Sequence, residues 1–386
     1  MERKRITFFV LIAVLIGIIA GILLWRILSP KLGEGAFYYR LDNNKADLFL
    51  LNGKGEGEKI ISVPAEEVDL GKYKPPKHTF ISPNGRYLIY FKKTKEEPIQ
   101  NFGDDWVASR IFYEPILINL KTRAEKKINQ LIDPATLVFS EDSNNIAWIK
   151  EVQESTYDEI EKSQTKRELW LSRIDGEDSR LLAVFEESVV LLKKWANDYI
   201  YFQGLFDVNV KTIGRINVET KKNDYLVPKG CDDNLGNCQN ITYSSSGRMV
   251  LYEIYSQKEN REITELYIED FEQKEAKPVL TTDRISDRIW LDNEKGFLYT
   301  EQEITREQGL TETIHLVDLY KETDTKLYTG SYISQLVFDD SGDYLYFLEK
   351  VEGEEVNMFK LIKLNIKSKK AETILTENYN NILLIQ

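Results

Sequence analysis

Apolar and polar positions alternate along this chain in a motif that recurs at nearly even intervals. In Phe80-Ile81-Ser82-Pro83-Asn84-Gly85-Arg86-Tyr87-Leu88-Ile89-Tyr90 an apolar run, a polar turn and a second apolar run follow one another. The pattern returns at 138–148, 241–252 and 337–347, and in weaker form at 195–201 and 290–299. Its leading aromatics, Phe80, Phe139, Trp195, Tyr243, Trp290 and Phe338, are separated by 59, 56, 48, 47 and 48 residues. Alternation with period two marks half-buried strands, and Gly85, Gly247 and Gly342 supply the positive φ that a tight hairpin turn needs.

A second, more polar hairpin follows each of these: 114–120 with 127–128, 168–172 with 180–182, 213–218 with 225–227, 265–268 with 278–280, 313–317 with 326–328, and 359–364 with 372–375. Four strands per repeat at this period predict an all-β fold, a β-propeller whose blades carry the two hairpins as inner and outer pairs. The termini set the count. Strands at 37–41, 47–51 and 59–62 lack an innermost partner, and 379–385 aligns with 332–338, the start of an inner strand. A C-terminal strand completing the first blade closes the ring and hides its edges. The expectation is seven blades, with six or eight as errors of one.

Ile6 to Trp25 is a run of twenty residues without a charge, enough to cross the roughly 30 Å hydrocarbon core as a helix. Arg3, Lys4 and Arg5 precede it, so the N-terminus is expected in the cytoplasm and the rest outside it. The expected layout is a cytoplasmic 1–5, a signal-anchor helix over 6–28, a linker over 29–35 and the propeller over 36–386. A cleaved signal peptide is the competing reading; the length of the run and the lack of a small-residue site before Arg26 speak for the anchor.

Ser82-Pro83-Asn84-Gly85-Arg86-Tyr87-Leu88-Ile89-Tyr90 resembles the short WD40-like (PD40) repeat of TolB-type propellers, and is similar to blades in the N-terminal propeller of dipeptidyl-peptidase-IV-like proteins. Ser140, Ser244 and Asp339 stand at the serine position of the other copies, and Pro83 has no counterpart. The resemblance extends over nearly all of 36–386. It implies a propeller acting in the cell envelope through protein–protein contacts.

The formal charge is −12. Without residues 1–28 the chain keeps 47 basic and 62 acidic residues, a net of −15. Such a surface excludes nucleic acid, whose phosphates need a basic face. Cys231 and Cys238 close a short polar loop and, in an exported domain, read as a disulfide; free thiols are the alternative.

Catalytic motifs are missing. The peptidase relatives carry a nucleophile in G-x-S-x-G, and the nearest string here, Ser244-Ser245-Ser246-Gly247, lacks the first glycine. His78 and His315 have no second His or Cys nearby, so no metal site is expected and His315 reads as an ordinary strand residue. Gly53, Gly55 and Gly57 lie in a hairpin turn rather than a phosphate loop. A carboxylate pair of the glycosidase kind stays open among 63 acidic residues.

Long connections at 92–113 and 150–167 break the regularity, and loops on a rigid frame are where binding residues gather. Phe102, Asp104, Asp105, Trp106 and Tyr157 are therefore the candidate binding residues, on the same rim as the Cys231–Cys238 loop. Aromatics among acids suit a sugar ring or a basic peptide; the competing reading is that Phe102 and Trp106 cover the insertion itself. The sequence thus points to a membrane-anchored, extracytoplasmic propeller that is not an enzyme, needs no cofactor and binds an envelope protein or peptide. Carbohydrate binding or a carboxylate-based glycan activity is the alternative.

Overall fold

The computed structural model describes residues 37–42, 45–51, 57–64, 79–101, 107–128, 136–152, 166–185, 189–206, 209–226, 238–258, 261–282, 284–305, 309–339, 342–352, 358–378 and 382–385. The expected membrane helix and linker lie outside them; among the described residues no helix is long and apolar enough to cross a membrane.

The described strands form seven four-stranded antiparallel sheets. In chain order the second contains Thr79–Ile81, Tyr87–Asn101, Val107–Asn119 and Glu125–Lys127, and the third Leu137–Phe139, Asn145–Val152, Lys166–Arg173 and Arg180–Phe185. The fourth holds Val189–Ala196, Tyr199–Phe206, Asn209–Asn217 and Asn223–Leu226; the fifth holds Cys238–Tyr243, Met249–Lys258, Arg261–Asp270 and Ala276–Thr282. Ile285–Trp290, Gly296–Thr305, Gly309–Asp318 and Thr323–Gly330 make the sixth; Ile333–Phe338, Tyr344–Lys350, Met358–Asn365 and Ala371–Asn378 make the seventh. The first sheet joins both ends of the chain: Phe37–Asp42, Lys45–Leu51 and Gly57–Pro64 are completed by Ile382–Ile385, with Phe37 opposite Ile385 and Arg40 opposite Ile382.

Each sheet buries one face against the next. Leu48 of the first packs with Leu88 and Ile118 of the second, and Phe91 of the second with Trp148 of the third. Ile149 shares a core with Phe202, Tyr201 with Tyr252, Leu251 with Tyr299, and Leu298 with Phe347. Tyr346 and Leu348 of the seventh then pack against Tyr38 and Leu384 of the first, and the ring is closed. The fold is a β-propeller. Its cores lie between sheets, so each sheet depends on both neighbours for the burial that offsets its ordering entropy.

The inner hairpin turns explain the recurring serine. Ser82 Oγ accepts the amide of Tyr87 (2.9 Å), Ser140 Oγ that of Asn145 (2.9 Å), Ser244 Oγ that of Met249 (3.1 Å) and Asp339 Oδ1 that of Tyr344 (3.1 Å). Three residues after each stands a left-handed residue: Gly85 (φ 64°), Ser143 (59°), Gly247 (75°) and Gly342 (68°). Outer turns use a different lock. Asn119, Asn217, Asp270 and Asp318 each accept a backbone amide two residues on, an Asx turn that ends the third strand.

The second sheet departs from the rest. Tyr87–Asn101 has 15 residues, against 7 to 10 for its counterparts in the third to seventh sheets. At about 3.3 Å per residue it extends roughly 15–25 Å farther. The expected loop at 92–113 is therefore mostly strand, paired from Lys92↔Glu114 out to Asn101↔Val107. Residues such as Thr94, Ile99, Val107, Ile111 and Phe112 favour strands, and the charges between them hide that pattern.

Gly247 and Gly342 both sit at positive φ, but a Cβ on Gly247 would come within 2.3 Å of the Tyr201 ring, whereas on Gly342 its nearest neighbour is Asp292 Oδ2 at 3.7 Å. Gly342→Ala should cost about 1–2 kcal/mol from backbone strain alone, and Gly247→Ala clearly more. Urea unfolding of the two variants checks the order.

Candidate functional site

Strand order divides the two ends of the ring. Connections within the inner and the outer hairpins lie at one end, the turn face; the second-to-third and sheet-to-sheet connections lie at the other, the loop face. The long pair Tyr87–Asn101 and Val107–Asn119 rises from the loop face. Its first and fourth neighbours are short, reaching only Tyr90 on one side and Ile116 on the other. Beyond them, among the described residues, it is a two-stranded arm.

Phe102, Asp104, Asp105 and Trp106 fall in the five-residue connection between Asn101 and Val107 at the end of this arm. They lie outside the described residues, as do Tyr157, Cys231 and His78. Cys238 opens its strand with its backbone opposite Ile254.

Beneath the loop face, buried charge is held between sheets. Glu253 is fully buried, and its carboxylate meets the Arg288 guanidinium of the sixth sheet. Asn240 Nδ2 (2.8 Å) and the Tyr255 hydroxyl (2.6 Å) donate to the same carboxylate. Arg288 also donates to the Asn240 carbonyl from Nε (3.0 Å) and Nη2 (2.6 Å). Burial and the adjacent Glu253 push the Tyr255 phenol pKa upward. Asn240 takes φ 55° inside a strand irregularity, a strained backbone that these bonds hold in place.

Inner strands repeat the device. Asp287 Oδ2 accepts the amide of Leu336 in the seventh sheet (3.2 Å), and Gln335 Oε1 accepts that of Leu384 in the closing strand (2.7 Å). Glu312, almost fully buried, accepts the Ile333 amide and Gln302 Nε2 (2.6 Å). Burial pushes its carboxyl above the usual range, with Asp287 adding to the effect, against the pull of those hydrogen bonds. Tyr328 donates to Glu349 (2.9 Å) in the same way.

His315 proves more connected than an ordinary strand residue. Its ring stacks on Tyr299 at 4.9 Å, its Nδ1 lies 3.0 Å from Asp324 Oδ1 and its Nε2 3.5 Å from Glu301 Oε2. Tyr299 donates to Asp324 Oδ2 (2.7 Å), and Thr282 of the fifth sheet donates to Glu301. An imidazole between two carboxylates ties the sixth sheet internally and to its neighbour. Among the described residues no three His, Cys, Asp or Glu side chains are gathered as cation ligands.

Sequence reading missed these groups, although one signal was available. Asn240, Asp287 and Gln335 are polar residues inside inner strands, 47 and 48 residues apart, at the phase of the repeat itself.

No protein-family model matches the chain, and no curated protein does either. Solved structures do match. An oligogalacturonate lyase in complex with manganese has a TM-score of 0.56 at 12% identity over 84% of each chain. A prolyl endopeptidase has 0.57 at 9% identity, covering 92% of this chain and 51% of its own, so this chain spans about half of that enzyme. TolB from Acinetobacter baumannii matches more loosely, with 0.44 at 11% identity over 89% and 81%. The chain is a β-propeller similar in fold to the oligogalacturonate lyases. That finding corrects one expectation, that the chain is not an enzyme: an enzyme, an oligogalacturonate lyase, shares this fold over 84% of its own chain.

Glu312 gives a signed test. A carboxyl raised by folding binds its proton more tightly in the native state, so its contribution is most favourable at low pH and is lost as pH rises through the raised value. The urea midpoint of the wild type relative to Glu312→Gln should therefore fall between about pH 4 and about pH 8; a constant difference would contradict the shift.

Proposed function

We propose that this chain is a membrane-anchored, seven-bladed propeller outside the cytoplasm that holds a protein or peptide partner on its loop face. The arm of the second sheet carries this reading. The turn face carries one side-chain-locked turn after another, whereas the loop face bears a projecting ribbon. The buried network between the fifth, sixth and seventh sheets makes the ground under that face rigid, as a recognition surface requires. Phe102 and Trp106 at the arm's end offer aromatic anchors, and the net of −15 outside residues 1–28 favours a neutral or basic partner.

The fold of the oligogalacturonate lyases supports a second reading, in which the same rim takes a carbohydrate. Acidity narrows it. An oligogalacturonate is itself a polyanion and would be repelled, so the glycan would be neutral or basic.

A photo-crosslinking residue at position 106 or 157 of the full chain in its native membranes should capture one discrete protein, and the same residue at the turn-face positions 122 or 369 should not. Equal capture at both faces would overturn the reading. A neutral glycan whose binding is lost in Trp106→Ala would decide for the carbohydrate instead.

A further inference from the structure

The inner turns interlock at the turn-face end of the ring. Ser143 Oγ of the third sheet accepts the Asn84 amide of the second (3.1 Å). Asn197 Nδ2 (3.5 Å) and the Tyr201 hydroxyl (3.4 Å) of the fourth donate to the Ser246 carbonyl of the fifth. Ser245 Oγ of the fifth donates to the Asp292 carbonyl (2.7 Å) and to Glu294 Oε1 (3.0 Å) of the sixth, and Glu294 also takes the Ser246 amide. The inner strands of a propeller surround a central channel, and these turns are the collar of its turn-face mouth.

Lys194 stands at this mouth. By the phase of the repeat it holds the place of Val138, Thr242, Ile289 and Val337, each directly before a leading aromatic; the three apolar ones are buried. The register slips between Leu192 and Lys194 and sets Lys194 opposite Tyr201, the residue whose hydroxyl reaches the next collar turn. Among the described residues its ammonium makes no hydrogen bond and no ion pair within 4 Å. Burial pushes that ammonium's pKa down, against the carboxylates of Glu141, Glu294 and Asp292, which come from the inner turns of the third and sixth sheets. Partial burial likewise pushes the Asp292 carboxyl up; Lys194 pulls the other way and Asp339 adds to the push.

We propose that Lys194 is a nucleophilic amine that condenses with the carbonyl of a small neutral aldehyde or ketone entering this mouth, with Asp292 as the proton donor. A lysine taken out of water and left without a fixed partner is the form in which this side chain attacks carbonyl carbon. Its nitrogen bonds to that carbon, its proton passes to the oxygen, and a carbinolamine results. Asp292 then protonates the hydroxyl, water leaves, and a protonated imine remains; no oxidant or reductant is consumed. The cationic imine gains from the surrounding carboxylates. The same carboxylates outnumber the lysine and turn away anionic carbonyl compounds.

The full chain in detergent micelles, treated with propanal and cyanoborohydride at about pH 7, should take its propyl group first on Lys194. Peptide mass spectrometry should show that site labelled about tenfold faster than the exposed Lys121 and Lys222. Asp292→Asn should slow labelling at Lys194 about tenfold or more, with Lys121 labelling and the urea midpoint unchanged, and Asp292→Glu should restore the rate. Labelling of Lys194 no faster than that of Lys121, or unchanged by Asp292→Asn, would overturn the proposal. The mouth lies at the opposite end of the ring from the arm, so the result is independent of whether a protein or glycan binds the loop face.

Discussion

Ring closure is the constraint on which the rest of this structure depends. No sheet is buried on its own; each shares one core with the sheet before it and another with the sheet after. The chain enters and leaves through the same sheet, so the circle is completed by four residues, Ile382–Ile385, paired with Phe37–Asp42. Two further contacts reinforce that seam. Leu384 enters the core formed by Tyr38, Tyr346 and Phe359, and its amide is held by Gln335. Hydrophobic area and a backbone ladder thus act at the one place where covalent continuity is missing.

Once the circle is closed, its two ends are free to differ. At the turn face of four sheets a serine or aspartate takes the amide five residues on, and a left-handed residue completes the bend. Toward the loop face the sheets are joined by buried polar groups, such as Glu253 with Arg288 and Asp287 with the Leu336 amide. A buried ion pair of this sort adds little net stability compared with apolar packing, but it fixes how neighbouring sheets are set against each other. That setting makes a firm base for the loop face, from which the arm rises.

The inner hairpins, the outer hairpins and the closing strand were legible in the sequence because each is written in short-range chemistry: alternation, an Asx or serine turn, a glycine at positive φ. The arm was not. Lys92 to Glu97 is a charged run, and charge masked a strand whose partner lies across a hairpin rather than in the local pattern. Arg288 and Glu253 were hidden for another reason, being 35 residues apart in different sheets. Only the recurrence of Asn240, Asp287 and Gln335 pointed toward them. His315 was read as structural, and the sequence could not show that Asp324 and Glu301 flank it.

The central claim is that the C-terminal strand holds the ring shut, and removing residues 379–386 tests it most directly. Hydrogen exchange should then show protection falling together in Phe37–Asp42 and in the seventh sheet, on both sides of the seam, with a marked loss of unfolding cooperativity. Unchanged protection of Phe37–Asp42 in the shortened chain, with unchanged stability, would contradict the account.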